Sequence, residues 1–95
     1  MNYTYKFLNG KVYIFDGNEN TDIRDIGLVK VAIEYPETRL GTVELVRVEL
    51  YDENENFICN DNDIINSEIW HNKDDVRVSL VKKYAVSPEI VFVLE

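Results

Sequence analysis

The sequence predicts one all-β domain over residues 1–95, a compact antiparallel β-sandwich or small barrel of about six to seven strands. One short helix or irregular crossover is expected near residues 63–71. The main observation is that apolar residues recur at every second position, in seven short runs separated by turn residues. In addition, 45% of the 95 residues are hydrophobic, which is enough for a single core.

The first predicted element is a β-hairpin centred on Asn9 and Gly10. A type I′ turn requires positive φ at both central residues, and Asn followed by Gly meets this requirement. The apolar residues of the two strands then share one core-facing side. The predicted pairs are Leu8 with Lys11, Phe7 with Val12 and Tyr5 with Ile14, and the core-facing residues are Tyr5, Phe7, Val12 and Ile14.

Two further strands are predicted over residues 28–35 and 42–51. Both alternate between apolar and polar residues, as half-buried antiparallel strands do. Because Val43 and Leu45 have the opposite phase to the rest of their strand, we expect a bulge near Glu44. The expected inward residues are Val29, Val31, Ile33 and Tyr35 in the first strand, and Val46, Val48 and Leu50 in the second.

The second half of the chain contains three more predicted strands and one ambiguous segment. Residues 57–59 suit a short return strand, residues 76–80 alternate as a strand, and residues 90–94 are apolar on both faces, as in a central strand. Residues 61–72 leave two alternatives, a short helix that Asp63 caps or an irregular crossover. The apolar residues of this segment that we expect in the core are Ile64, Ile65, Ile69 and Trp70.

Two acidic, amide-rich loops follow strands, at residues 16–20 and 52–56. Asp and Asn bond to their own backbone and tolerate left-handed φ, so both segments are interpreted as turns. Asp52, Asn54 and Asn56 also occupy alternate positions, as in a calcium-binding loop. The sixth position is Phe57 instead of Gly and no amphipathic helix flanks the segment, so we expect no metal or cofactor.

The negative charge is concentrated in one segment. Residues 52–75 hold eight acids against Lys73, a net charge of −7 from 1 − 8, in a chain whose total is −8. Such a field repels nucleic acid and membrane surfaces and attracts a basic partner. We therefore expect no direct nucleic-acid binding and no membrane binding.

The residues that enzymes use most often are scarce. Cys59 and His71 are the only residues of their types, and no glycine-rich phosphate loop precedes a helix. Cys59 lies in an apolar triplet, which favours a buried thiol over a nucleophile. We therefore expect a protein that is not an enzyme. A single cysteine and a start without a secretory signal pattern favour a cytoplasmic protein.

The function that these observations predict is non-enzymatic binding of a basic protein surface. The specific form is an inhibitor that blocks a surface with which the partner binds nucleic acid. In size and composition the chain is similar to the small acidic inhibitors that phages encode against host defences. The expected partner-binding residues are Asp52, Glu53, Glu55, Asp61, Asp63, Glu68, Trp70, Asp74 and Asp75, with Trp70 as the anchor.

Two other classes of function remain open. One is a structural β-sandwich module that acts through self-association, as a homo-oligomer. The other is a small-molecule-binding or hydrolytic domain, with a pocket formed by Cys59, His71 or paired carboxylates.

Overall fold

A computed structural model describes residues 2–95 and contains two β-sheets and one α-helix. Strands account for 47% of the chain and helical residues, including a 3₁₀ turn, for 16%, so the predicted all-β class is confirmed and the fold is consistent with a small β-sandwich. The first sheet has the order β1-β2-β3 and the second has the order β6-β5-β4-β7. The elements are β1 (Tyr3–Leu8), β2 (Lys11–Asp16), β3 (Glu19–Asp25), β4 (Leu28–Glu34), β5 (Glu44–Tyr51), β6 (Phe57–Asn60), α1 (Lys73–Tyr84), a 3₁₀ turn (Pro88–Ile90) and β7 (Val91–Leu94).

The hairpin of β1 and β2 is confirmed, with Asn9 and Gly10 at φ values of 51° and 77°. Its register matches the three predicted pairs. Val12 is completely buried, whereas Tyr5 is 37% exposed. The core-facing side therefore packs well only near the turn, where Phe7 meets the helix through an edge-to-face contact with Tyr84.

Strand β3 was not predicted, because its sequence has no apolar alternation. A two-residue turn at Gly17 and Asn18 connects it to β2, with Gly17 at a φ of 65°. Two side chains then fasten β3 to the backbone of β2. Asn20 Nδ2 donates to the carbonyl of Ile14 at 3.0 Å, and Thr21 Oγ1 donates to the same carbonyl at 3.3 Å.

The second sheet contains the predicted bulge, located at Val46. Ala32 pairs with Arg47 and Ile33 pairs with Leu45, so Val46 has no partner in β4. Val46 is 47% exposed, which corrects its predicted inward position. The bulge reverses the phase of β5, because residues on both sides of it must face the core. The buried residues are Val43 and Leu45 before it, and Val48 and Leu50 after it.

Two further predictions were wrong, one about the position of Tyr35 and one about the place of the last strand in the sheet. Tyr35 lies beyond the last residue of β4, and 55% of its surface is exposed. Strand β7 is an edge strand that pairs with β4 in parallel, and it is not central. Its two faces differ: Val91 is buried, while Phe92 on the other face is 50% exposed. The apolar residues on both faces of β7 therefore do not result from a central position in the sheet.

The strand predicted over residues 76–80 was also wrong, because helix α1 occupies this segment. Asn72 caps the helix by accepting a 2.8 Å hydrogen bond from the backbone N–H of Asp75. Val76, Leu80 and Tyr84 are completely buried at a spacing of four, whereas 65% of Val78 is exposed. The pattern of buried residues thus fits the period of a helix, and it does not fit the alternation of a strand.

Residues 61–72 form the irregular crossover, and no helix forms between residues 63 and 71. Ile64 and Trp70 are buried at 4% and 2% exposure, while Ile69 is 61% exposed. Trp70 forms an isolated antiparallel bridge with Val43, which aligns the end of the crossover with the start of β5. Within residues 2–95, no helix has the length and apolarity needed to cross a membrane.

Candidate functional site

The acidic segment, residues 52–75, contacts β5 near both of its ends. Phe57 pairs with Tyr51 at one end of β5, and Trp70 bridges to Val43 before the other end. Eight residue steps separate Val43 from Tyr51, a length of about 27 Å. We call the accessible carboxylates of this segment the acidic edge. Its members are Asp52, Glu53, Glu55, Asp63, Glu68, Asp74 and Asp75.

The loop at residues 52–56 is held by the carboxylate of Asp52. Its Oδ1 atom accepts hydrogen bonds of 2.9 Å from the backbone N–H groups of Asn54 and Asn56. The bond from Asn56 is the main reason why the pKa of Asp52 lies below its usual value. The carboxylate that would open a calcium loop is therefore used in the turn. Among residues 2–95, no three His, Cys, Asp or Glu side chains converge in a way that could hold a metal ion.

The structure places this loop beside β3, where it forms what we call the acidic groove. Gly27 permits the approach, because a Cβ there would lie 2.5 Å from the Cα of Glu53. Its N–H also donates to the carbonyl of Tyr51 at 2.9 Å. The groove is open and has a volume of about 290 Å³. Its lining residues are Asp22, Ile23, Arg24, Asp25, Asp52, Glu53 and Asn54.

A single guanidinium joins the two sides of the acidic groove. Arg24 Nε lies 3.0 Å from Asp22, and its Nη1 atom lies 3.2 Å from Asp52. The hydrogen bond to Arg24 is the main reason why the pKa of Asp22 is lowered. Lys11 forms an ion pair with Asp25. The sequence prediction did not include Asp22 and Asp25, because they belong to the strand that the sequence did not reveal.

Two of the predicted partner-binding residues lie in the interior. Trp70 is 2% exposed, and its Nε1–H donates to Ser79 Oγ at 3.0 Å. Asp61 is also 2% exposed. The structure therefore corrects the expectation that Trp70 anchors a partner and that Asp61 meets one, because neither side chain reaches the surface.

Asp61 accepts three hydrogen bonds that satisfy its buried carboxylate. The donors are Lys83 Nζ at 2.5 Å, Tyr84 Oη at 2.6 Å and the backbone N–H of Asp63 at 3.2 Å. Burial, followed by the hydrogen bond to Asp61, raises the pKa of the Tyr84 phenol. This network connects the end of α1 to the crossover, and it is a structural element of the core.

Cys59 and His71 are not brought together. Cys59 pairs with Leu50, and His71 follows Trp70, which bridges to Val43. Seven residue steps separate Val43 from Leu50, about 23 Å. Burial, with a smaller contribution from Asp61, also raises the pKa of the Cys59 thiol to about 12. The thiolate that a nucleophilic mechanism needs is therefore scarce at neutral pH.

The remaining carboxylates of the acidic edge differ in their partners within the protein. Glu68 accepts a 2.7 Å hydrogen bond from Ser79, and Asp74 pairs with Arg77 at 3.3 Å. Asp75 Oδ2 accepts from the backbone N–H of His71 at 3.2 Å. The exposed side chains of Glu55 and Asp63, by contrast, form no salt bridge within residues 2–95.

No family model, curated protein or solved structure matches this chain. The geometry of the site is therefore the basis for a functional assignment. Four carboxylates line the acidic groove against two cations, Arg24 and Lys11, which leaves a net charge of −2 from 2 − 4. An open groove of this charge favours contact with cationic side chains.

Proposed function

We propose that the protein is a non-enzymatic binding protein that contacts a basic surface of a partner protein and blocks it. The observation that carries the proposal is the acidic groove, in which β3 and the loop at residues 52–56 place four carboxylates on one open surface. A basic partner gains most where carboxylates from different segments converge, because their fields add. The acidic edge adds further carboxylates from the rest of residues 52–75.

The contacts of Arg24 show how a guanidinium is held in this groove. Its nitrogens lie within 3.2 Å of carboxylates from two different elements, Asp22 and Asp52. Glu53 lines the same groove and is exposed. Arg of a partner would pair with Glu53, because a planar guanidinium matches the two oxygens of a carboxylate.

The concentration of negative charge supports a partner that normally binds nucleic acid. The acidic edge has seven accessible carboxylates from residues 52–75, and a surface that binds phosphates is positively charged. The acidic edge is therefore complementary in charge to a phosphate-binding surface. The preferred specific function is therefore inhibition of a nucleic-acid-binding protein. The single cysteine, which is buried, suits the reducing environment of a cytoplasm.

The test compares two variants that lose the same charge. The first neutralises exposed acids of the site by Asp25→Asn, Glu53→Gln, Glu55→Gln and Asp63→Asn. The control neutralises four exposed acids elsewhere by Glu34→Gln, Glu37→Gln, Glu44→Gln and Glu89→Gln. Each protein is immobilised and used to capture partners from host lysate at low and high salt.

We expect the first variant to lose at least about tenfold in affinity for the captured partner, since rim charges mainly change association rate and salt dependence. The control variant should retain binding. Equal loss in both variants would show that only the net charge matters, and unchanged binding in the first would refute the proposal. Nucleic acid added as a competitor should release the partner.

A further inference from the structure

The outer face of the four-stranded sheet has no covering layer within residues 2–95. Its residues alternate with the buried Val29 and Val91, and they therefore point away from the core. None of them is buried, and Phe57 and Phe92 are 51% and 50% exposed. We call this surface the outer sheet face, and its main residues are Leu28, Lys30, Tyr51, Phe57, Phe92 and Leu94.

The outer sheet face carries several apolar side chains that contact one another. Tyr51 and Phe57 meet edge to face, with ring centroids 5.6 Å apart. Lys30 Nζ lies 5.0 Å from the centroid of the Tyr51 ring. Beside these residues lies a depression of about 350 Å³, lined by Leu28, Lys30, Glu55, Phe92 and Leu94. Side chains that are already fixed lose little entropy when a partner covers them.

The charge of this face differs from that of the rest of the molecule. Lys30 and Arg47 offset two of its four acids, which are Glu34, Glu44, Glu49 and Glu55, so its net charge is −2 from 2 − 4 in a chain of net charge −8. Arg47 and Glu49 also pair with each other at 3.5 Å. Two copies of the chain therefore repel each other less when these faces meet than when their acidic edges meet.

The edge of the depression is self-complementary. Lys30 and Glu55 both line it and have opposite charges. In a twofold contact, each copy presents the same surface, so residue pairs occur twice with the roles exchanged. Lys30 of each copy can then face Glu55 of the other.

We propose that the outer sheet face binds a second copy of this chain, in a twofold dimer that covers Phe57 and Phe92 and pairs Lys30 with Glu55 across the interface. The face measures roughly 15–20 Å by 20 Å, or on the order of 300–400 Å² per copy. The two faces together would cover about 600–800 Å², which is below the roughly 1,200–2,000 Å² of standard specific interfaces, so the dimer is weak and depends on concentration.

Sedimentation velocity over a concentration series, from about 10 µM to about 1 mM, tests the proposal. The mass of the wild-type protein should rise from the 11.1 kDa monomer towards twice that value. Phe92→Ser and Lys30→Glu should each lower the association constant at least about tenfold. The double change Lys30→Glu with Glu55→Lys should restore it, because the pair is only reversed.

Leu40→Ser is the matched control, since Leu40 is 89% exposed in the turn at residues 37–41 and lies outside this face. It should leave association unchanged, and circular dichroism should confirm that all variants fold. A wild-type protein that stays monomeric at every concentration would overturn the proposal. So would association that survives Phe92→Ser, or a double variant that is no better than Lys30→Glu alone. A groove variant that keeps Glu55, with Asp25→Asn and Glu53→Gln alone, should dimerise normally, which separates this test from that of partner binding.

Discussion

The phenol hydroxyl of Tyr84 donates a 2.6 Å hydrogen bond to the carboxylate of Asp61, and both side chains are nearly inaccessible to solvent. The same Tyr84 accepts a 2.7 Å hydrogen bond at its carbonyl from the N–H of Gly10. Its ring packs against Phe7 with centroids 5.1 Å apart. Tyr84 thus joins the last turn of α1 to the hairpin of the first sheet and to the crossover beside the second.

Removal of the Asp61 carboxylate should therefore destabilise the protein strongly. Asp61→Ala leaves the Tyr84 hydroxyl buried without its acceptor and frees Lys83, at a cost of about 3 kcal/mol. Urea denaturation followed by circular dichroism measures the change. Asp63→Ala is the control, since this exposed acid two residues away should change stability by less than about 0.5 kcal/mol. A similar loss in both variants would contradict the structural role of Asp61.

Asp61 also shows what the sequence cannot reveal about this site. Within the acidic segment, nothing in the local sequence distinguishes Asp61 from Asp63, and the sequence predicts that both are exposed. The residues that make Asp61 a core residue, Lys83 and Tyr84, follow 22 and 23 residues later. Burial that depends on distant partners leaves no local pattern, so the prediction placed it on the binding surface.

The fold could be predicted where a local pattern has one interpretation. Asn9 and Gly10 specify one turn and hence one register. Val76 and Leu80, in contrast, are four residues apart, which fits both a strand and a helix face. Tyr84, one helical turn further on, extends the helical series, and the cap at Asn72 marks its start. Strand β3 has Ile23 as its only apolar residue. Its strand structure therefore depends on pairing with β2 and not on its own sequence pattern.

Replacement of Ala85 by glycine should stabilise the protein. It ends α1 with left-handed φ and ψ values of 55° and 52°, and its N–H donates to the carbonyl of Val81. An alanine in this conformation costs about 1–2 kcal/mol, while glycine adopts it freely. After the greater entropy of glycine in the unfolded chain is subtracted, Ala85→Gly should raise stability by about 0.5–1 kcal/mol. Urea denaturation tests this, with Ala32→Gly in β4 as the control that should lower stability. A lower stability for Ala85→Gly would contradict the role of this cap.

Cys59 makes stability dependent on pH in the alkaline range. Its thiol pKa is raised from 9.0 to about 12 in the folded state. The stabilisation is complete below pH 9, and it is lost as pH rises towards 12 because only the unfolded chain releases the proton. Urea midpoints measured across this window should therefore fall with pH. Tyr84, whose pKa is also raised, acts in the same direction.

Cys59→Val should make that fall shallower, because it removes the thiol and keeps an apolar side chain of similar size. The same thiol in the wild-type protein should react with a disulfide reagent slowly when folded and rapidly in urea. An identical pH slope in wild type and variant would show that the thiol does not contribute.

The turn at residues 52–56 should not respond to calcium. Asp52 Oδ1 already accepts two backbone hydrogen bonds, and a cation would have to displace them. Binding at ten times the dissociation constant would add about 1.4 kcal/mol and raise the melting temperature by about 6–11 °C in a domain of this size. Thermal unfolding with calcium and with a chelator should give the same midpoint. A rise of that size, abolished by Asp52→Asn, would establish a calcium site.

Arg24→Gln should strengthen the binding of basic ligands at the acidic groove. The guanidinium of Arg24 occupies the Oδ2 atoms of Asp22 and Asp52, so its removal leaves these two oxygens free for a partner. An oligo-arginine peptide should bind roughly three- to tenfold more tightly, with a steeper dependence on salt. Lys82→Gln, which removes a positive charge from exposed α1, is the matched control and should have a smaller effect.

The same variant separates the causes of two pKa shifts. The hydrogen bond to Arg24 is the largest cause of the lowered pKa of Asp22, whereas backbone bonds from the loop dominate at Asp52. Carboxylate titration by NMR should therefore show the pKa of Asp22 rising towards its ordinary value in Arg24→Gln, and that of Asp52 changing less. If the two shifted equally, Arg24 would control the loop as well as the strand. Tighter peptide binding without a change at Asp22 would place the peptide outside the acidic groove.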